Sequence, residues 1–229
     1  MIIPGNATFF PALQTQGWAI DTAGDIGPTV PKVFTAAYVT PPVPATALLL
    51  TIQGIPGSWC DGMAQRVVQT PAGITNYVLS TTFVPPVGFV KASSAWEIGL
   101  RGTDEFGYTS NGQIQANFNN LRAGGQMEID VVPYPSGWTN TGIILPTYQE
   151  NAPHTVVQTY FRNPVTHTFS ATSWTLDGQA HFIPPSLQNV PMIEMGWERN
   201  KLIIGIQPDV NNIGLWFQIT VPDVRLWVW

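Results

Sequence analysis

The stretch QIQANFN, residues 113–119, decides the fold class of this 229-residue chain. Its apolar residues Ile114, Ala116 and Phe118 alternate strictly with amide side chains. Successive side chains of a β-strand point to opposite faces of a sheet. The stretch is therefore predicted to be a half-buried strand, with one apolar and one polar face.

The same period of two recurs along most of the chain. Further strands are predicted at 47–53, 76–83, 96–101, 127–132, 155–161, 167–176, 202–207, 215–221 and 224–229. Helix signals are nearly absent, because the 21 prolines are spread along the chain and helical apolar spacing with a cap is not found. About a dozen short strands without a fixed repeat predict an antiparallel β-sandwich or jelly roll.

One domain is predicted for residues 1–229, since β-sandwiches often exceed 200 residues as a single unit. Residues 1–45 are predicted to form a segment that wraps the edge of the sandwich. The proline-rich stretch 40–46 is flanked by apolar residues on both sides, so it is interpreted as a loop within that domain rather than a linker.

Composition limits the partners that the protein can have. Hydrophobic residues make up 44% of the chain and charged residues 10%, with nine tryptophans, so a large core is available and disorder is excluded. The net charge is −5 and no Lys/Arg cluster occurs, which argues against nucleic acid and anionic membrane surfaces. No apolar run is long enough for membrane insertion. A neutral partner fits this composition.

Cysteine, metal and targeting signals are sparse. Cys60 is the only cysteine, so no intramolecular disulfide forms, and the three histidines lack a metal-ligand spacing. Residues 209–212 (DVNN) are predicted to form a turn, either an ordinary Asx turn or a structural Ca²⁺ site; no other cofactor is expected. Residues 1–6 lack the features of a signal peptide, although the low charge is typical of extracellular or surface-displayed β-proteins.

The most informative chemical motif is EIDVV, residues 128–132. In a strand, Glu128 and Asp130 share one face because they are two residues apart. Two carboxylates on one face either accept hydrogen bonds from neighbouring strands and solvent, hold a polar ligand, or take part in catalysis.

Four segments, in order, resemble the laminarinase-type family 16 glycoside hydrolases of the concanavalin A-like lectin/glucanase superfamily. The resemblance covers about the last two-thirds of the chain, and the second segment is similar to the signature E-[IL]-D-x-x-E of that family. The segments are 95–100 (AWEIGL), 125–132 (GQMEIDVV), His154-Thr155 with 174–179 (WTLDGQ), and 223–229 (DVRLWVW).

The resemblance implies a concanavalin A-like sandwich with Glu128 as nucleophile and Asp130 as its helper. A retaining glycosidase needs a second carboxyl group about 5 to 5.5 Å away as general acid/base. Pro133 occupies the position of that glutamate, and proline offers no proton. Glu97, which is predicted on a strand beside Glu128, is one replacement; the others are Asp104, Glu105 and Glu150.

Aromatic residues provide a second functional signal, since the C–H face of a pyranose packs on a flat ring. Trp138 and Trp216 are predicted to be exposed platforms, because Trp138 follows a Ser-Gly loop and Trp216 alternates with an apolar face. The other candidates are Trp59, Trp96, Tyr134 and Trp174. Trp227 and Trp229 are predicted to pack structurally in the closing strand.

The resulting hypothesis is a non-catalytic, lectin-like module that binds a neutral oligo- or polysaccharide on the concave sheet face. Its site residues are Trp96, Glu97, Glu128, Asp130, Tyr134, Trp138 and Trp216. Two alternatives stay open. One is a β-glucan hydrolase with Glu128 as nucleophile and a relocated acid; the other is a structural subunit of a capsid, appendage or surface layer, which would form homo-oligomers.

Overall fold

The computed structural model describes residues 2–10, 17–21, 34–39, 47–53, 59–89, 93–117, 126–130, 138–144, 149–211 and 216–229. In chain order its strands are β1 (Thr8–Phe10), β2 (Trp18–Asp21), β3 (Phe34–Val39), β4 (Ala47–Gln53), β5 (Trp59–Asp61), β6 (Met63–Gln69), β7 (Asn76–Val84), β8 (Ser93–Thr103), β9 (Tyr108–Asn117), β10 (Gln126–Asp130), β11 (Trp138–Ile144), β12 (His154–Asn163), β13 (Thr168–Leu176), β14 (Gln179–Phe182), β15 (Val190–Pro191), β16 (Ile193–Glu194), β17 (Lys201–Asn211) and β18 (Trp216–Val228). Within these ranges no helix is long and apolar enough to cross a membrane.

The described strands form two nine-stranded antiparallel sheets. The first sheet has the order β14-β13-β12-β7-β18-β4-β3, with β1 also paired to β18 and β15 to β13. The second sheet has the order β11-β10-β9-β8-β17-β6-β2, with β16 also paired to β9 and β5 to β17. This architecture is the antiparallel jelly-roll β-sandwich that the alternating sequence predicted.

The core lies between the two sheets and takes side chains from both. Trp96 and Ile98 of β8 contribute from the second sheet, and Phe83 of β7 from the first. The rings of Trp96 and Phe83 lie with their centroids 4.7 Å apart. The Gln158 side-chain amide also crosses the core, donating from Nε2 to the Ile98 carbonyl at 2.9 Å. Alternation along each strand therefore leaves one outer face on each sheet.

Gly112 on β9 marks a close approach of the two sheets. A Cβ atom built there would lie 2.6 Å from a ring atom of Phe169 and 2.7 Å from one of Tyr160. Both rings belong to the opposite sheet and stack on each other, with centroids 5.5 Å apart. Only glycine leaves room for them, since even a methyl group would overlap the rings.

A buried ion pair joins the sheets at one end of the sandwich. Arg162 on β12 places Nη1 3.0 Å from Asp104 Oδ2 and Nη2 3.1 Å from Glu105 Oε2, in the turn between β8 and β9. Its Nε donates to the Ile74 carbonyl at 2.8 Å. Partial burial of Glu105 works against ionisation, but a backbone hydrogen bond within that residue and the Arg162 guanidinium hold its pKa below the ordinary value.

Tyr77, beside this ion pair, is predicted to make the fold sensitive to alkali. Burial is the largest cause that raises its pKa, from 10.0 to about 12, with Arg162 acting in the opposite direction. Below pH 10 both the folded and the unfolded state keep the phenol protonated, so the contribution of Tyr77 to the free energy of unfolding is fully present. Between pH 10 and about pH 12 the unfolded state ionises first, and stability should fall by roughly 2 to 3 kcal/mol.

Urea unfolding measured in steps from pH 9 to pH 11.5 checks this expectation. In Tyr77→Phe the decline of the unfolding free energy with pH should be shallower. An identical slope in Tyr77→Phe and the wild type would contradict it. Burial also raises the pKa of Tyr160 well above its usual value, so Tyr160→Phe should flatten the remaining slope.

His154 begins β12, and residues 174–179 span the turn from β13 to β14. β12 begins at His154, whose Nδ1 lies 2.6 Å from Asp177 Oδ2 and whose Nε2 lies 2.8 Å from the Gln149 carbonyl oxygen. Asp177 and Gly178 join β13 to β14, with φ values of +48° and +85°. Positive φ at both positions is what a two-residue Asp-Gly turn requires. The Asp177 carboxylate in this turn thus fixes His154 at the start of β12.

Two predictions about local structure are corrected. The turn predicted at 209–212 does not begin at Asp209, because β17 continues through Asn211 and Val210 is buried in the core. Glu97 is not on a strand adjacent to Glu128, since β9 lies between β8 and β10.

The predicted wrapping segment contributes β1, β2 and β3, which pair with β18, β6 and β4. The predicted loop at 40–46 lies outside the described residues.

Candidate functional site

The outer face of the second sheet carries a continuous row of polar residues. Trp96 and Ile98 lie in the core, so Glu97 between them occupies the opposite face. Across the strands Glu97 is in register with Gln207 on one side and Gln115 on the other. Gln115 is in register with Glu128, and Glu128 with Asn140. The polar row is thus defined by Gln207, Glu97, Gln115, Glu128 and Asn140.

A second line of register positions runs beside the polar row. Asp209 pairs with Asp61 on one side and with Ala95 on the other. Asn117 continues the line from Ala95, and Gln126 continues it from Asn117. Carboxylate and amide residues therefore occupy neighbouring lines on this sheet.

Part of this polar surface is buried although it faces away from the core. Glu97 is 4% exposed and Asp209 2% exposed. The Gln207 side chain is also buried, and its Nε2 donates to Asp209 Oδ1 at 3.2 Å. Burying a carboxylate is costly unless it is hydrogen-bonded, and both carboxylates have interaction partners in the structure. Glu97 of the row and the neighbouring Asp209 thus lie in an environment where hydrogen bonds are stronger than in water.

The separation of Glu97 from Glu128 follows from the sheet topology. Their register positions lie two strands apart, which corresponds to about 9 to 10 Å between the backbones. Inverting glycosidases place their two carboxyl groups about 6.5 to 9.5 Å apart, and retaining enzymes about 5 to 5.5 Å. The backbone spacing is thus closer to the inverting geometry than to the retaining one.

The predicted site residues separate into three groups. Glu97, Glu128, Asp130 and Trp138 lie on the second sheet, where Asp130 pairs with Trp138 at the start of β11. Trp216 is 56% exposed, as expected for a platform, but it lies on β18 of the first sheet.

Trp96 is 2% exposed and packs inside the core, so its predicted contact with a sugar requires a ring face that the fold covers. Trp174 is buried in the same core. Tyr134 and Pro133 lie outside the described residues.

Sequence reasoning missed three residues of the polar row: Gln115, Asn140 and Gln207. The alternation at 113–119 had assigned Gln115 to a polar face, which was the available signal. Nothing in the sequence showed that this face would be in register with Glu97 and Glu128. Among the residues described, no group of three or more His, Cys, Asp or Glu is arranged to hold a metal ion.

Neither a protein-family model nor a curated protein sequence matches this chain. Solved structures do match it over nearly their full length. Arcelin-5, a lectin-like defense protein from Phaseolus vulgaris, aligns with a TM-score of 0.52 at 11% identity, covering 98% of this chain and 99% of that one. Lectin UEA-II complexed with galactose aligns with a TM-score of 0.51 at 12% identity, covering 96% of this chain and 97% of that one. An endo-β-1,4-glucuronan lyase from the fungus Trichoderma reesei aligns with a TM-score of 0.51 at 12% identity, covering 96% of this chain and 94% of that one.

At such low identity these matches establish the fold alone. The chain has the concanavalin A-like jelly-roll fold, on which the matched proteins include a galactose-complexed lectin and a polysaccharide lyase.

Proposed function

We propose that this protein is a carbohydrate-binding module that recognises a neutral glycan on the outer face of its second sheet. The observation that carries the proposal is the polar row, in which amide and carboxylate residues occupy five consecutive strands at one register. Glu97 and Gln207 are buried, so the contacts with the glycan are proposed for Gln115, Glu128 and Asn140. Sugar hydroxyls both donate and accept hydrogen bonds, and amides and carboxylates offer the matching partners.

Charge supports a neutral ligand. Glu97 and Glu128 belong to the row, and Asp209 lies in the neighbouring line. Glu97 and Asp209 are buried, so they do not contact the glycan. Ionised carboxylates on and beneath this face repel an anionic polymer such as a glucuronan and tolerate neutral hydroxyls. The glycan bound here is therefore expected to lack uronic acids.

Binding rather than hydrolysis is the preferred function because of Pro133. In the family 16 resemblance that position supplies the general acid/base, whereas proline carries no ionisable group. Glu128 and Asp130 keep carboxylates that can accept hydrogen bonds from a sugar, while position 133 supplies no proton for a leaving group.

An array of neutral and uronate-containing oligosaccharides tests the proposal. The protein is expected to bind neutral glycans, and Glu128→Gln should weaken that binding about tenfold or more, since hydrogen bonds to charged groups contribute about 1.5 to 3 kcal/mol. Glu198→Gln is the matched control, because Glu198 is an exposed partner of Lys201 and lies outside the row.

Equal thermal stability of the variants would show that a loss of binding is not a loss of folding. Preferential binding of uronates, or unchanged affinity in Glu128→Gln, would contradict the proposed site.

A β-glucan hydrolase is the second candidate. The observation that favours it is the position of Glu97 and Glu128 in one polar row, on either side of Gln115. Glu97, two strands from Glu128, would supply the general acid that Pro133 lacks, with Glu128 as nucleophile. Release of reducing ends from β-1,3- or mixed-linkage glucans would identify the enzyme if Glu97→Gln and Glu128→Gln each abolished it.

A further inference from the structure

The first sheet carries a groove on its own outer face, on the opposite side of the sandwich from the polar row. The groove has a volume of about 610 Å³, within the range of small-molecule sites. It lies over β7, β12, β13 and β14. The aromatic groove is defined by Phe161, Phe182, Trp229, Thr159 and Ser173, all of which line it.

Exposed aromatic rings are the first feature of the aromatic groove. Phe182 is 76% exposed and Phe161 40% exposed. Phe182 is in register with Ser173, and Ser173 with Thr159, so an aromatic residue and two hydroxyl residues share one line across three strands. Rings that offer an open face beside hydroxyl groups are suited to a ligand that has both C–H and O–H surfaces.

A β-bulge supplies the second feature. The register of β12 and β13 shifts after Thr159, so that Thr172 and Ser173 both lie beside it. Thr159 Oγ1 is 2.6 Å from Thr172 Oγ1 and 2.6 Å from Ser173 Oγ. The Thr172 hydroxyl also lies 3.1 Å from the Thr159 carbonyl, to which it donates.

The hydrogen-bond inventory of this hydroxyl cluster defines what a ligand must offer. Each hydroxyl has one proton and two lone pairs, so bonds within the cluster use its protons and leave lone pairs open. The ligand should therefore donate hydrogen bonds. Among the described residues that line the aromatic groove there is no Asp, Glu, Lys or Arg, so no charged side chain there compensates a charged ligand.

We propose that the aromatic groove is a second binding site that takes a neutral sugar residue. The ring faces of Phe182 and Phe161 pack on the C–H surface, and the sugar hydroxyls donate to Ser173 and its neighbours. The proposal does not rest on the function of the polar row, because the two sites share no residue and lie on different sheets.

Titration with methyl glycosides of glucose, galactose and mannose, followed by saturation-transfer difference NMR, tests the aromatic groove. The experiment uses the full chain carrying Glu128→Gln, so that the polar row is already weakened. At least one glycoside should bind, and adding Phe182→Ala should raise its Kd about tenfold. Phe106→Ala is the matched control, since it removes another exposed phenylalanine outside the groove.

The outcomes separate the two sites. If Glu128→Gln alone changes nothing while Phe182→Ala weakens binding, the groove proposal holds and the polar-row proposal fails. The groove proposal is overturned if no glycoside binds, or if Phe182→Ala leaves the Kd unchanged. It is also overturned if Phe182→Ala abolishes only the binding of the apolar dye 8-anilinonaphthalene-1-sulfonate, which would make the groove a general apolar surface. A third contrary result is that Phe182→Ala only dissociates a dimer in sedimentation, which would make the groove a contact between two copies of the chain.

Discussion

Replacing Arg162 with methionine is expected to lower the free energy of unfolding by about 3 to 5 kcal/mol. Arg162 is 2% exposed and is the cation between Asp104 and Glu105. Methionine fills much of the space but leaves the Asp104 carboxylate buried without its partner. The Ile74 carbonyl also loses the donor that Arg162 Nε provides. Urea denaturation at pH 7 measures the loss.

A double-mutant cycle assigns this loss to the charge. Asp104 Oδ1 accepts hydrogen bonds from the backbone amides of Phe106 and Tyr108, both at 2.9 Å. Asp104→Asn keeps that acceptor while removing the charge. The loss of unfolding free energy in the double variant Arg162→Met with Asp104→Asn should therefore be smaller than the sum of the losses in the two single variants.

Lys201→Met is the control for this cycle, because it breaks an exposed ion pair with Glu198 and should cost less than about 1 kcal/mol. A loss below 1 kcal/mol in Arg162→Met as well would show that the buried pair does not hold the sheets together.

The second large effect is expected at Trp96. Trp96→Ala should cost about 3 to 5 kcal/mol, since it removes a large ring from a close-packed interior. The ring contacts Phe83 and meets Phe89 edge to face, with centroids 6.1 Å apart. Trp216→Ala removes the same side chain from an exposed position and should change stability by less than about 1 kcal/mol. Thermal or urea unfolding of the two variants gives the comparison.

Trp96→Phe separates a packing role from a contact with ligand. Within the described structure Trp96 Nε1 has no hydrogen-bond partner, so phenylalanine loses volume but no hydrogen bond. A smaller loss of stability than in Trp96→Ala is expected, with unchanged affinity for neutral glycans per folded molecule. A stable Trp96→Phe protein that no longer bound glycan would show that Trp96 contacts the ligand.

Two sites on opposite outer faces would have a consequence for binding to polymers. A polysaccharide contacted on both sheets, or two chains contacted by one protein, would be held by linked binding events. Linked sites can give an overall affinity that exceeds either site alone. Loss of one site would then weaken binding to a polymer more than binding to a monosaccharide.

Local features of this fold could be predicted from local sequence. The alternation at 113–119 identified β9, and the positive φ angles at Asp177 and Gly178 in the hairpin of β13 and β14 are those that an Asp-Gly pair favours. These features depend on side-chain periodicity and on the backbone preferences of two residues, which act over a few positions. The exposure of Trp216 could be predicted for the same reason, because its neighbours alternate with an apolar face.

The composition of each outer face was decided only by the tertiary structure. Glu97 and Glu128 are 31 positions apart in the chain, and the pairing of β8, β9 and β10 brings them into one row. Trp96 and Trp216 were both candidates for a sugar contact, yet the core covers one and the first sheet exposes the other. The sequence by itself determined that strands with one apolar face would form and pack as a sandwich. Which polar faces meet depended on strand order and register, because these are set by contacts between distant segments that no local pattern encodes.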